Sequence, residues 1–122
     1  MVKELKTIED FTSAIGNDQT ELVVIDFSAE WCGPCKMIAP KFHGFSEKYP
    51  MIGCYKIDSD NNDLKKICEI CQIRSLPTFC LFHGGKYITR VMGADEKNLE
   101  NMMVQNLQNL QNFPKLQKEQ DN

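Results

Sequence analysis

The chain has 122 residues, 42% of them hydrophobic and 25% charged, with a net charge of -3 at pH 7 and a pI near 5.4. That is enough chain to bury one core without disulfide or metal staples, and the composition is that of an ordinary globular protein. No Lys/Arg cluster stands out, which argues against nucleic acid or an anionic membrane as the partner. No apolar run approaches the roughly 20 residues that a bilayer-spanning helix needs. The N-terminus Met1-Val2-Lys3-Glu4-Leu5-Lys6 lacks an apolar signal region, so the expected compartment is the cytosol.

In chain order, Thr7 caps an expected helix over Ile8 to Ile15, with Asp10 three positions on and Gly16 as its stop. Residues 22–29 are almost continuously apolar, the pattern of a strand buried on both faces. From Cys35 to Tyr49 the residues Met37, Ile38, Phe42, Phe45 and Tyr49 recur at helical spacing, with Pro40 expected to bend the helix and Pro50 to end it. Ile52 to Asp58 reads as a strand, Ser59 to Asn62 as a polar loop, and Asp63 to Cys71 as a helix. Thr78 to Phe82 and Tyr87 to Met92 form an expected hairpin about the turn His83-Gly84-Gly85-Lys86, and Gly93 breaks the pattern.

A last amphipathic helix starts near Asp95 and uses Leu99, Met103, Leu107 and Leu110. From about Gln108 Gln and Asn dominate, and Pro114 is expected to stop the helix. The domain therefore covers residues 1–107, with 108–122 a polar extension that ends as a disordered tail. Leu107, Leu110, Phe113 and Leu116 form the alternative, a short docking stripe. The order of elements predicts an α/β fold, a mixed sheet covered by helices on both faces.

The chemistry lies in Trp31-Cys32-Gly33-Pro34-Cys35, at the junction between the apolar strand and the following helix. At a helix N-terminus the unpaired N–H groups and the positive end of the macrodipole stabilise an anion. A thiolate is such an anion, and it is the species that attacks disulfides. Cys32 is the expected attacker and Cys35, one turn further in, the resolving thiol; Pro34 restricts the loop.

Six cysteines in a reducing compartment suggest catalytic or metal-binding use. The second pair, Cys68-Glu69-Ile70-Cys71, raises a four-thiolate zinc site. The long stretch between the pairs and the strand–helix setting of the first disfavour it. Cys68 and Cys71 share one face of a short helix, where they either pack or form a second, regulatory disulfide. Cys54 and Cys80 lie in strands as inert buried thiols. His43 and His83 stand apart from any catalytic constellation.

Val24-Ile25-Asp26-Phe27, Ala29-Glu30-Trp31-Cys32-Gly33-Pro34-Cys35-Lys36, Leu76-Pro77-Thr78 and Gly93-Ala94 together resemble the thioredoxin family over residues 2 to about 107. A thiol pKa of about 8.5 falls to roughly 3.5–7.5 in such settings, a range in which thioredoxins are themselves known members. The resemblance implies a thioredoxin fold and a protein-disulfide reductase with no bound cofactor, recycled by an NADPH-dependent thioredoxin reductase and acting on proteins such as peroxiredoxins or ribonucleotide reductase. It also implies a monomer that takes part in cell redox homeostasis and electron transport, a cis Pro77 facing Cys32 and Cys35, and a Leu76 backbone that pairs with an extended substrate.

Asp26, in an apolar strand, has an expected raised pKa and could take the Cys35 proton; the plainer reading is a carboxylate pinned by Lys56. Trp31 shields the thiolate or is ordinary core, Pro77 could be a simple turn proline, and Gly93 either ends the hairpin or admits a bound peptide. Gly33-Pro34 matches the reductase dipeptide, whereas disulfide isomerases of this fold carry a histidine where Pro34 stands. A binding module using Trp31, Pro77 and Gly93 is the rival of a different class, and the intact Cys32, Cys35 and Asp26 speak for the enzyme.

Overall fold

The computed structural model describes residues 1–16 and 22–120, with side chains as far as residue 110. Its elements are β1 (Lys3–Leu5), α1 (Ile8–Ile15), β2 (Leu22–Ser28), α2 (Gly33–Lys48), β3 (Ile52–Asp58), a 3₁₀ turn (Asn62–Leu64), α3 (Lys65–Ile70), β4 (Thr78–His83), β5 (Lys86–Met92) and α4 (Glu96–Gln120). The strands form one sheet in the order β1-β3-β2-β4-β5. β1 and β2 run parallel to β3, and β4 and β5 complete the sheet antiparallel.

Every residue of β2 is buried, because helices cover both faces of the central strand. Side chains alternate across a strand, and the two cores follow that alternation. Val23, Ile25 and Phe27 join Cys80 and Phe82 of β4 in one core with Phe11 and Ala14 of α1 and Ile67 of α3. Leu22 and Val24 join Phe79 and Leu81 in the other, with Ile38, Phe42 and Phe45 of α2 and Leu99 and Met103 of α4. Asp26 has the parity of Leu22 and Val24, so it points to the α2 side.

Local chemistry sets the ends of the elements. Thr7 and Asp10 form a reciprocal capping box on α1: Asp10 N–H donates to Thr7 Oγ1 at 3.0 Å and Thr7 N–H to Asp10 Oδ2 at 3.2 Å. Gly84 and Gly85, at φ 59° and 79°, make the β4–β5 turn. At the end of α2, Lys48 and the Tyr49 hydroxyl both donate to Glu100 Oε2, at 2.8 and 2.6 Å, and tie α2 to α4.

The structure adds one strand and corrects two expectations. β1 was not foreseen, since three residues are too short to show an alternation; pairing with β3 creates it, Leu5 opposite Ile57. The expected helix from Asp63 to Cys71 divides into the 3₁₀ turn and the shorter α3. The helical backbone of α4 runs through Pro114 to Gln120, where the sequence pattern stops it. A proline removes one i→i−4 hydrogen bond and makes a helix costlier without forbidding it, and Pro40 likewise sits inside α2. The proposed stripe positions Phe113 and Leu116 lie outside the described side chains.

Candidate active site

β2 delivers the chain to the site. After Ser28, Cys32 takes an extended conformation (φ -87°, ψ 109°) and forms the N-cap of α2, with Pro34 in the first turn. The Cys35 N–H donates to Cys32 Sγ at 3.2 Å, and Lys36 N–H donates to Cys32 O at 3.2 Å. Cys32 and Cys35 are joined as a disulfide, their Cα atoms 5.2 Å apart. Both are buried, and they pack with Ala29 and with the half-buried Leu76. One N-terminal amide of α2, that of Cys35, thus points at the Cys32 sulfur, as the residue spacing anticipates.

A cleft of about 460 Å³ opens above the pair, lined among others by Trp31, Cys32, Lys65, Cys68, Arg74 and Leu76. Cys32 faces it and Cys35 does not. Trp31 is not core: it is 71% exposed, and its indole Nε1–H donates to Asp60 Oδ2 at 2.8 Å. That bond anchors a large apolar plate beside the sulfur. Asp60 was not singled out from the sequence, and nothing local could have found it, since it stands 29 positions from Trp31.

The Leu76-Pro77 peptide is cis, as the resemblance implies. Leu76 packs against the cysteine pair, and Pro77 next to it is buried, its carbonyl accepting from Gly93 N–H at 2.8 Å. Gly93 has φ 89°, which only glycine adopts without strain. No side-chain neighbour stands within 4 Å of where a Cβ would lie, so the requirement is conformational.

Asp26 is 3% exposed, and its Oδ1 has no hydrogen-bond partner. Burial pushes its carboxyl up to about 7, opposed by the charge of Lys56. Lys56 sits directly across the parallel ladder from Asp26 but is solvent-exposed, and no ion pair joins them among the described residues. The pinned-carboxylate reading thus reduces to a moderating charge. Burial also pushes the Cys54 and Cys80 thiols up to about 12, consistent with inert core positions. His43 faces Glu47 on the surface, and His83 pairs with Leu22 at the far end of β2. No group of three or more His, Cys, Asp or Glu side chains is placed to hold a metal among the described residues.

A disulfide at a helix N-terminus, under an open cleft and following a strand that carries a buried carboxylate, defines a dithiol–disulfide oxidoreductase, chemistry that needs no bound cofactor. The thioredoxin family model matches residues 2–105. A thioredoxin-like protein of Acanthamoeba polyphaga mimivirus is 48% identical over 105 residues, covering 86% of this chain and 77% of its own. Thioredoxin-1 of Saccharomyces cerevisiae is 42% identical over 106 residues, covering 87% and 99%. A structure from work on the thiol resolving mechanism in yeast mitochondrial 1-Cys peroxiredoxin via glutathione/thioredoxin systems superposes with a TM-score of 0.74 at 33% identity, covering 82% and 91%. The chain belongs to the thioredoxin family, and it is a protein-disulfide reductase.

Proposed function

We propose that the reductase cycle runs through Cys32 as nucleophile, Cys35 as resolving thiol and Asp26 as the proton-transfer group. The observation that carries this reading is the asymmetry of the pair: Cys32 caps α2 and lines the cleft, while Cys35 lies behind it. Cys32 thiolate attacks a target disulfide and forms a mixed disulfide; Cys35 then attacks Cys32 Sγ, releases the reduced target and closes the Cys32–Cys35 bond. A carboxyl with a pKa near 7 can accept the Cys35 proton at neutral pH. Lys56 keeps that pKa from rising further, Gly33 and Pro34 shape the turn, and Trp31 covers the sulfur.

Leu76, Pro77 and Gly93 form the backbone platform against which an extended target segment lies. Residues 1–107 are the working domain, to which 108–122 add a polar extension. Electrons come from NADPH through thioredoxin reductase, and the protein works as a cytoplasmic monomer in electron transport and redox homeostasis. Peroxiredoxins are fitting targets, a choice that the peroxiredoxin context of a structural neighbour supports; ribonucleotide reductase is another.

Insulin-disulfide reduction with NADPH and thioredoxin reductase tests the cycle. Wild type is expected to turn over, and Cys35→Ser to stop at a stable Cys32 mixed disulfide. Turnover by Cys35→Ser at the wild-type rate would overturn the assignment of the resolving thiol.

A further inference from the structure

Cys68 and Cys71 repeat the spacing of the active-site pair, with Cys68 on a different wall of the same cleft. Both thiols are free. Cys71 N–H still bonds Ile67 O at 2.9 Å, so the two residues span one helical turn. Ideal helix geometry puts Cα atoms three residues apart at about 5 Å, inside the roughly 4.4–6.8 Å that a disulfide spans. Cys32 and Cys35, with the same spacing, have Cα atoms 5.2 Å apart while bonded.

The surroundings divide the roles. Cys68 is half-buried and lines the cleft that Cys32 also lines, whereas Cys71 is buried in the core beneath it. The backbone around them is held firmly. Ile73 N–H donates to Cys68 O and Gln72 N–H to Glu69 O, both at 3.0 Å, a Schellman closure with Gln72 left-handed at φ 54°. The Arg90 guanidinium donates to Cys71 O at 2.6 Å and to Gln72 O at 3.2 Å. Lys65 and Arg74 add two cations to the cleft wall, against one carboxylate, Glu69. The 460 Å³ volume suits a small molecule.

We propose that Cys68 and Cys71 form a second redox dithiol, oxidised by a small disulfide bearing carboxylates, of the glutathione disulfide class, that enters this cleft. Cys68 thiolate attacks one sulfur of the small disulfide, the S–S bond breaks, and one thiolate leaves with its electron pair. Cys71 thiolate then attacks Cys68 Sγ, forms the Cys68–Cys71 bond and expels the second thiolate. The protein dithiol loses two electrons and two protons, and one small disulfide becomes two thiols. Burial holds both thiols above their ordinary pKa, with Lys65 opposing this at Cys68 and Arg90 at Cys71, so attack by this pair at neutral pH is slow.

The test uses the full chain as Cys32→Ser/Cys35→Ser, which makes it independent of the reductase assignment. Incubated with glutathione disulfide, this protein is expected to lose two thiols and yield a Cys68–Cys71 linked peptide on mass analysis, with Cys54 and Cys80 unmodified. Adding Cys71→Ala, or Cys71→Ser as a second replacement at this buried site, is expected to trap glutathione on Cys68. Lys65→Glu/Arg74→Glu is expected to slow oxidation by glutathione disulfide at least about threefold more than oxidation by the neutral hydroxyethyl disulfide. Four free thiols after incubation, or a lasting glutathione adduct on Cys68 with Cys71 present, would overturn the second dithiol. Equal slowing with both probes would overturn recognition through carboxylates.

Discussion

The chain holds two Cys-x-x-Cys pairs, and they sit at opposite ends of helices. Cys32 and Cys35 open α2, where amides and the positive dipole end favour a thiolate. Cys68 and Cys71 close α3: Cys71 is its C-cap, and the nearest backbone groups are carbonyls. Burial raises both thiols of the second pair, and the negative helix end adds nothing to counter it. An identical sequence pattern thus places one pair where a thiolate is favoured and the other where it is not. The same two residue types acquire different chemistry from the direction of the helix they terminate.

The largest expected effect is on thiol reactivity. In fully reduced protein at pH 7, alkylation by iodoacetamide followed by peptide mass analysis should find Cys32 reacting at least about tenfold faster than Cys68, following thiolate fraction. Comparable rates would break the contrast between the two helix ends.

Asp26→Asn sharpens the contrast from the side of the first pair. Its folded pKa, about 7, lies above the unfolded value near 3.8. The native state therefore binds the extra proton between these values, and stability falls as pH rises through that window. Removing the carboxyl should stabilise the fold, by up to about 4 kcal/mol at pH 8 and far less near pH 4. Urea denaturation at the two pH values measures this. The same variant should lower the reductase rate at least about tenfold at pH 7. A pH-independent gain in stability would mean that Asp26 is not the titrating group.

Gly93→Ala forces a left-handed alanine and should cost about 1–2 kcal/mol in denaturant unfolding. It should also weaken target reduction, because Gly93 N–H holds the Pro77 carbonyl. The smallest effect concerns the second pair: Gln72→Gly relaxes the left-handed residue that closes α3 and should stabilise by at most about 1 kcal/mol. Destabilisation there would show that the Gln72 side chain contributes more than its strained backbone costs.

Most of the strand and helix layout was legible because its signals are local. The all-apolar run at Leu22–Ser28, the capping box at Thr7 and the Gly84-Gly85 turn each act within a few residues. β1 was illegible because pairing with β3, not its own pattern, makes it a strand. In the site, Cys32 and Cys35 were legible from their motif, while the Asp60 hydrogen bond to Trp31 and the Arg90 bonds to Cys71 and Gln72 join residues far apart in the chain.

The sequence by itself determined the dithiol, its place at a strand-to-helix junction and the buried Asp26, because propensity, capping and strand alternation are properties of neighbouring residues. Only the tertiary structure decided that Leu76 packs against the pair, that Lys56 stays in solvent, and that Cys68 shares a cleft with Cys32. Those outcomes depend on which segments the sheet brings together, and burial and field strength follow from that packing rather than from the order of residues alone.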